Sequence, residues 1–306
     1  MITLSNGHSF EYMVASGALG FDGRGWWWEK PLVWLGLLRP ELFTVVTKTL
    51  TLNHRPGNLR MWKPWDCVRL IPGGAVNKVG LTNPGFDWWC RKIGPKVNRK
   101  KIPIIVSISG TRAELKEMTK VLRRSEFDIV GIEVNLSCPN SGDHLKDIQS
   151  AAEDVRAVWE ESHLPVLAKL SVDQPYLEIT KAIERYAEAI ALNSVRWETV
   201  FPHEVTPLHK LEKRVGNGSG GVSGKPAQKH NWPAVEALAK QGLLPVIAPS
   251  IMKFDDMKRV RDLGAQAVSF GAIHLRTPWK PTSIVRKERR MQASRRDSFA
   301  SSSPST

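Results

Sequence analysis

Val130-Gly131-Ile132-Glu133-Val134-Asn135-Leu136-Ser137-Cys138-Pro139-Asn140 is the stretch on which the reading of the fold turns. Residues 130–136 form a short, mostly apolar run of the kind that fills a strand covered on both faces. The run then stops abruptly in Ser, Cys, Pro and Asn, where Pro139 ends the strand and fixes the backbone. Upstream, residues 111–124 read as a helix that opens with a capping box, Thr111-Arg112-Ala113-Glu114. Before it comes another apolar run at 103–109. Downstream, 143–162 reads as a helix and 165–170 as a further strand. The alternation extends in both directions, with strands at 12–16, 44–49, 187–193, 245–248 and 267–271 and helices at 176–186, 227–241 and 254–263. Eight strands separated by helices predict an α/β fold, a parallel sheet closed into a (β/α)8 TIM barrel. A doubly wound open sheet is the alternative, but no GxGxxG follows the first strand.

The 306 residues suit one such barrel, which takes about 250. Residues 1–285 are assigned to the barrel. Residues 286–306, with six Lys and Arg against Glu288 and Asp297 and then a Ser-rich end, are read as a basic, disordered tail. The connections 50–101 and 194–226 are too long for simple loops and are placed as insertions at the C-terminal mouth. Hydrophobic residues make up 42% and charged residues 24% of the chain, the balance of a soluble globular protein. No apolar run is long enough to span a bilayer, and the N-terminus shows no secretory signal, so the expected location is cytoplasmic. The net charge of +14 favours anionic ligands; part of it sits in the tail, and nucleic-acid binding is not expected. Cys67, Cys90 and Cys138 form no CxxC pair and are read as reduced thiols. His203, His209, His230 and His274 show no ligand pattern, and no metal is assigned. The Trp26-Trp27-Trp28 and Trp88-Trp89 runs are read as packing or interface surface.

Asn135-Leu136-Ser137-Cys138-Pro139-Asn140 closely resembles the signature of the soluble, cysteine-base dihydroorotate dehydrogenases. Other motifs similar to that family follow in order: Ala15-Ser16-Gly17, Thr47-Lys48-Thr49, the loop from Asn77 to Gly85 (NxxGLxNPG), Lys169-Leu170-Ser171, Asn193-Ser194, Gly220-Gly221-Val222-Ser223-Gly224 and Gly271-Ala272. The resemblance implies FMN-dependent oxidation of dihydroorotate to orotate in pyrimidine biosynthesis. Cys138 is the implied base at C5. Lys48, Asn77, Asn135, Asn140, Asn193 and Ser194 are the implied substrate ligands. The flavin falls to Ala15, Ser16, Gly17, Thr47, Lys48, Asn135, Lys169, Gly220, Gly221, Ser250, Gly271 and Ala272.

Physical reasons accompany these assignments. Ala15 and Gly17 lack the bulk that would keep backbone away from a flat ring. Lysines at the ends of apolar strands need an acceptor, and a reduced flavin is electron-rich at its N1/O2 edge. Residues 216–221 can turn several N–H groups toward a phosphate. One departure stands out: many family members carry a Gly-Gly pair after the seventh strand, where this chain has Pro249-Ser250. Pro249 has no N–H to give, so Ser250 must supply its own N–H and hydroxyl. The resemblance leaves the electron acceptor open among fumarate, a quinone and an iron–sulfur flavoprotein subunit, and it implies a homodimer. Two rival readings are a flavin barrel that reduces another pyrimidine or a tRNA uridine, and a non-catalytic barrel that binds a partner.

Overall fold

The computed structural model describes residues 1–60, 62–137, 147–216 and 218–301, with side-chain surroundings as far as 294. Eight strands form a closed barrel: β1 (Tyr12–Val14), β2 (Thr44–Val46), β3 (Ile104–Ile108), β4 (Gly131–Asn135), β5 (Val166–Leu170), β6 (Ala189–Leu192), β7 (Val246–Ala248) and β8 (Ala267–Phe270). Every neighbouring pair is parallel, and β8 closes on β1 with Val268 opposite Tyr12. All eight lie inside the runs read from the sequence. The expected (β/α)8 barrel is therefore the observed fold, each strand trimmed by a residue or more at its ends.

Side chains alternate across each strand, and the alternation separates two cores. Val14, Val45, Val106, Ile132, Val134 and Ala168 pack outward with the helices. Met13, Val46, Ile105, Leu167, Ile247 and Ala267 point inward and pack with Ile2, Leu4 and Phe10. Those last three belong to an N-terminal hairpin, Ile2–Thr3 paired antiparallel with Ser9–Phe10, that plugs the barrel floor. Its loop is tied to strand starts: Ser5 N–H donates to Glu188 at 2.7 Å, Asn6 Nδ2 donates to the Val130 carbonyl at 3.1 Å, and the His8 Nε2 and Thr44 Oγ1 atoms pair at 2.8 Å. A closed floor leaves the opposite, C-terminal end as the open one.

At that end the two long insertions do not run as separate loops. Val68–Ile71 and Gly74–Asn77 form a hairpin, and Gly221–Gly224 adds to it, followed by Val195–Arg196, in one four-stranded antiparallel sheet. Gly221 pairs with Asn77. Lys78, buried, reaches across and donates to the Gly216 carbonyl and, at 2.5 Å, to that of Gly218. Burial pulls its pKa down, against the Glu212 and Glu198 carboxylates, which push it up.

The helix expected at 143–162 spans Ile148–Glu161, with the Asp147 side chain accepting from Ser150 N–H at the N-cap. The segment expected to be a tail continues the last helix, Lys280–Ser301. Glu288 fastens its start by accepting from Tyr12 Oη at 2.8 Å and pairing with the Arg261 guanidinium. Among the described residues no helix is long and apolar enough to cross a membrane.

Candidate functional site

Inward side chains turn polar toward the mouth. On β3 the inward order is Ile105 then Ser107; on β4, Gly131, Glu133, Asn135; on β5, Leu167 then Lys169. These polar groups are linked into one chain across the strands by hydrogen bonds and, at Lys169, by an ion pair. Ser16 Oγ lies 3.0 Å from Thr49 Oγ1, which lies 2.9 Å from Ser107 Oγ. Ser107 Oγ donates to Glu133 Oε1 at 2.8 Å, and that oxygen lies 3.8 Å from Lys169 Nζ. Asn135 Nδ2 donates into the same chain, to Thr49 Oγ1 at 3.0 Å. Glu133 is 1% exposed and Lys169 7%, so each is the charge partner available to the other below the rim.

Ser137 is fully enclosed and held by all its polar groups. Its N–H donates to Asn135 Oδ1 at 3.3 Å, its hydroxyl to the Lys169 carbonyl at 3.1 Å, and its carbonyl accepts from Asn193 Nδ2 at 2.8 Å. Asn193 Oδ1 in turn accepts from Ser194 N–H at 2.8 Å. Cys138 and Asn140 lie outside the described residues, but the residue from which Cys138 departs is anchored to β4, β5 and the end of β6.

The ends of β1, β2 and β8 meet closely. Ser16 Oγ donates to the Thr47 carbonyl at 2.8 Å, and Thr47 Oγ1 accepts from Ser107 N–H at 3.0 Å. A Cβ added to Gly17 would lie 3.5 Å from Lys48 Cγ, and one added to Gly271 would lie 3.4 Å from Ala15 Cβ. Small residues here leave the backbone accessible. Lys48 stands near enough to the buried Cys67 to oppose, by charge, the burial that raises that thiol to about 11. Cys67 and Cys90 are free thiols, as the sequence reading expected.

Asn77 and Gly220–Gly221 come together on the mouth sheet, where Asn77 Nδ2 donates to the Gly221 carbonyl at 3.3 Å. Gly220 has φ +103, and a Cβ there would sit 2.9 Å from the Asn77 carbonyl oxygen, so only glycine fits. Ser250 also takes a left-handed φ of +68. Ala272 begins the short helix Ala272–Arg276, in which His274 is wholly enclosed and its pKa driven by burial to about 3. Both His274 ring nitrogens and Asn231 Oδ1 are buried without a hydrogen-bond partner among the described residues.

The sequence reading missed Thr49, Ser107, Glu133 and Ser137. A signal was present: Glu133 shares the parity of Asn135, and Ser107 that of Ile105, which places both on the inner wall.

A closed parallel barrel with a plugged floor, with Lys48, Lys169 and the amides of Asn135 and Asn193 at its strand ends, has the architecture of barrel enzymes, in which chemistry sits at the C-terminal mouth. The family model described as dihydroorotate dehydrogenase matches residues 17–287, and the chain belongs to that family of oxidoreductases. It is 32% identical over 280 residues to the catalytic subunit of dihydroorotate dehydrogenase B (NAD(+)) of Desulforudis audaxviator, covering 89% of this chain and 85% of that one. It is also 32% identical over 254 residues to a putative dihydroorotate dehydrogenase A (fumarate) of Aeropyrum pernix, covering 80% and 79%. The fold is similar to that of a ligand-free dihydroorotate dehydrogenase from Eimeria tenella, with a TM-score of 0.65 at 15% identity over 89% of this chain and 82% of that one.

Proposed function

We propose that the protein oxidises dihydroorotate to orotate in pyrimidine biosynthesis with FMN as its cofactor. The observation that carries this reading is the anchoring of Ser137 by Asn135, Lys169 and Asn193, immediately ahead of Cys138. A general base must start from a fixed backbone, and here that backbone is held at the open end of the barrel.

The residues present suit a flavin. Ala15, Ser16, Gly17, Thr47, Gly271 and Ala272 give close backbone approach, and Lys48, Asn135 and Lys169 supply donors. Gly220, Gly221 and Ser250 are the residues assigned to the phosphate, and His274 and Asn231 keep buried atoms without a partner among the described residues. When bound, the flavin supplies the acceptor for the hydride that leaves C6 of the substrate. Cys138 as thiolate removes the C5 proton, and a fixed cation beside the thiol, a role assigned to Lys48, would favour the thiolate. Lys48 pairs with the substrate carboxylate, while Asn77, Asn135, Asn140, Asn193 and Ser194 meet the ring and its carbonyl and N–H groups. Asn193 has already committed its amide nitrogen to Ser137, so it holds that residue as well as meeting the substrate.

The names of the catalytic-subunit relatives favour a further subunit as electron acceptor, ahead of fumarate or a quinone. A cytoplasmic homodimer of this chain is the assembly proposed with it.

The test is flavin absorbance after anaerobic rapid mixing of the FMN-loaded protein with dihydroorotate, which needs no electron acceptor. Cys138→Ala is expected to bleach about 10²–10⁴-fold more slowly with FMN still bound. Bleaching at the wild-type rate would remove Cys138 from the mechanism, and a wild-type protein that takes up no FMN would end the whole reading.

A further inference from the structure

In the turn after β7, Pro249-Ser250, the second residue takes a left-handed φ of +68. A residue with a Cβ pays on the order of 1 kcal/mol or more for that φ, so something must hold it. Three side chains of the helix Lys225–Gln241 do so. Gln228 Nε2 donates to the Ser250 carbonyl at 2.9 Å and to Asp256 Oδ2 at 3.2 Å. Trp232 Nε1 donates to the Pro249 carbonyl at 3.2 Å. Asn231 Nδ2 reaches Ser250 Oγ at 3.4 Å.

Asn231 does one thing more. The same amide nitrogen donates to the Asn193 carbonyl at 3.3 Å, at the end of β6. One side chain thus spans two adjacent strand ends, one carrying the substrate residues Asn193 and Ser194 and the other the phosphate turn. Asn231 is 1% exposed, and its Oδ1 has no partner among the described residues. Burying an amide with an idle oxygen is unfavourable where a leucine of like size would fill the same space. Packing therefore does not account for the residue, whereas bridging does.

We propose that Asn231 is a positioning residue that locks the flavin-phosphate turn and the substrate amide Asn193 to each other. The proposal rests on the function argued above. In it, the Ser250 hydroxyl is steered by Asn231, and the unfavourable φ is held by the tether and not by the intrinsic preference of the residue. Glycine at 250 would need no tether, since it adopts positive φ freely. Asn193, by contrast, needs its link whatever stands at 250.

The experiment uses Asn231→Leu, Ser250→Gly and the double variant, with Asn231→Ala as a second substitution should leucine prevent folding. FMN dissociation constants are read by quenching of flavin fluorescence on the apoprotein. KM for dihydroorotate and the maximal flavin-reduction rate are read by rapid mixing. Asn231→Leu is expected to weaken FMN and raise KM, each roughly three- to tenfold, the worth of one net hydrogen bond, with the maximal rate changed by no more than about twofold. In the Ser250→Gly background the FMN effect of Asn231→Leu should vanish while the KM effect persists. Unchanged FMN affinity and KM in both position-231 variants would overturn the inference, as would an equal FMN loss in either background. A wild-type protein that binds no FMN would overturn the proposed function and this inference together. Wild-type binding with indifferent variants would overturn this inference alone.

Discussion

Replacing Glu133 with glutamine tests whether the polar chain inside the barrel is held by charge. Glu133 Oε1 accepts from Ser107 Oγ at 2.8 Å and lies 3.8 Å from Lys169 Nζ, with both side chains almost fully enclosed. Opposite unit charges about 4 Å apart attract by about 4 kcal/mol at an effective dielectric constant near 20. Removing one member of a buried pair typically costs about 3–5 kcal/mol, because the other is left uncompensated. Glutamine keeps an oxygen for Ser107, so the expected loss is at the low end, about 3 kcal/mol. With a urea slope of about 3 kcal/mol per molar, the apoprotein midpoint should fall by about 1 M. Ser107→Ala is the control: it deletes one neutral donor and leaves the charge pair, so it should cost about 1 kcal/mol. In the FMN-loaded protein the Glu133→Gln loss should shrink, because the flavin gives Lys169 a second acceptor. Equal midpoints for Glu133→Gln and wild-type apoprotein, or a Ser107→Ala loss as large as that of Glu133→Gln, would refute the reasoning.

Two further outcomes follow from buried titratable groups. Glu29 is buried, accepts from Trp26 N–H at 2.8 Å, and has its pKa raised by burial from 4.5 to about 7. The unfolded chain thus ionises first, and stability falls as pH rises from about 4.5 to 7, so Glu29→Gln should stabilise the protein above pH 7 and give no gain near pH 4.5; denaturation midpoints that differ from wild type equally at both ends would contradict this. Lys78→Met removes the ammonium that joins the two insertions at the Gly216 and Gly218 carbonyls, so trypsin should cut the exposed Lys213–Arg214 segment faster and FMN should bind more weakly, whereas an unchanged cleavage rate would show that the mouth sheet holds without it.

The barrel was readable because its evidence is local. Each strand is a short apolar run, and some of the intervening helices carry a start signal of their own, such as the capping box at Thr111 and Glu114. The strand-end residues were readable for the same reason: a polar group at the end of an apolar strand points out of the barrel mouth or into it, and Lys48, Asn135 and Lys169 lie there. The mouth sheet was not readable. Gly221–Gly224 has two glycines in four residues and no alternation, so nothing in it marks a strand. Its partner, Gly74–Asn77, is 144 residues away between the bonded Asn77 and Gly221, and pairing at that separation leaves no periodic trace in either segment. The helix Lys225–Gln241 shows the same limit in another form. Gln228 and Asn231 look like ordinary surface residues in a sequence, and only their register against Ser250 and Asn193 gives them work. The Pro249-Ser250 departure, visible from the start, therefore has a structural counterpart that was not: Gln228, Asn231 and Trp232 on the facing helix hydrogen-bond to this turn.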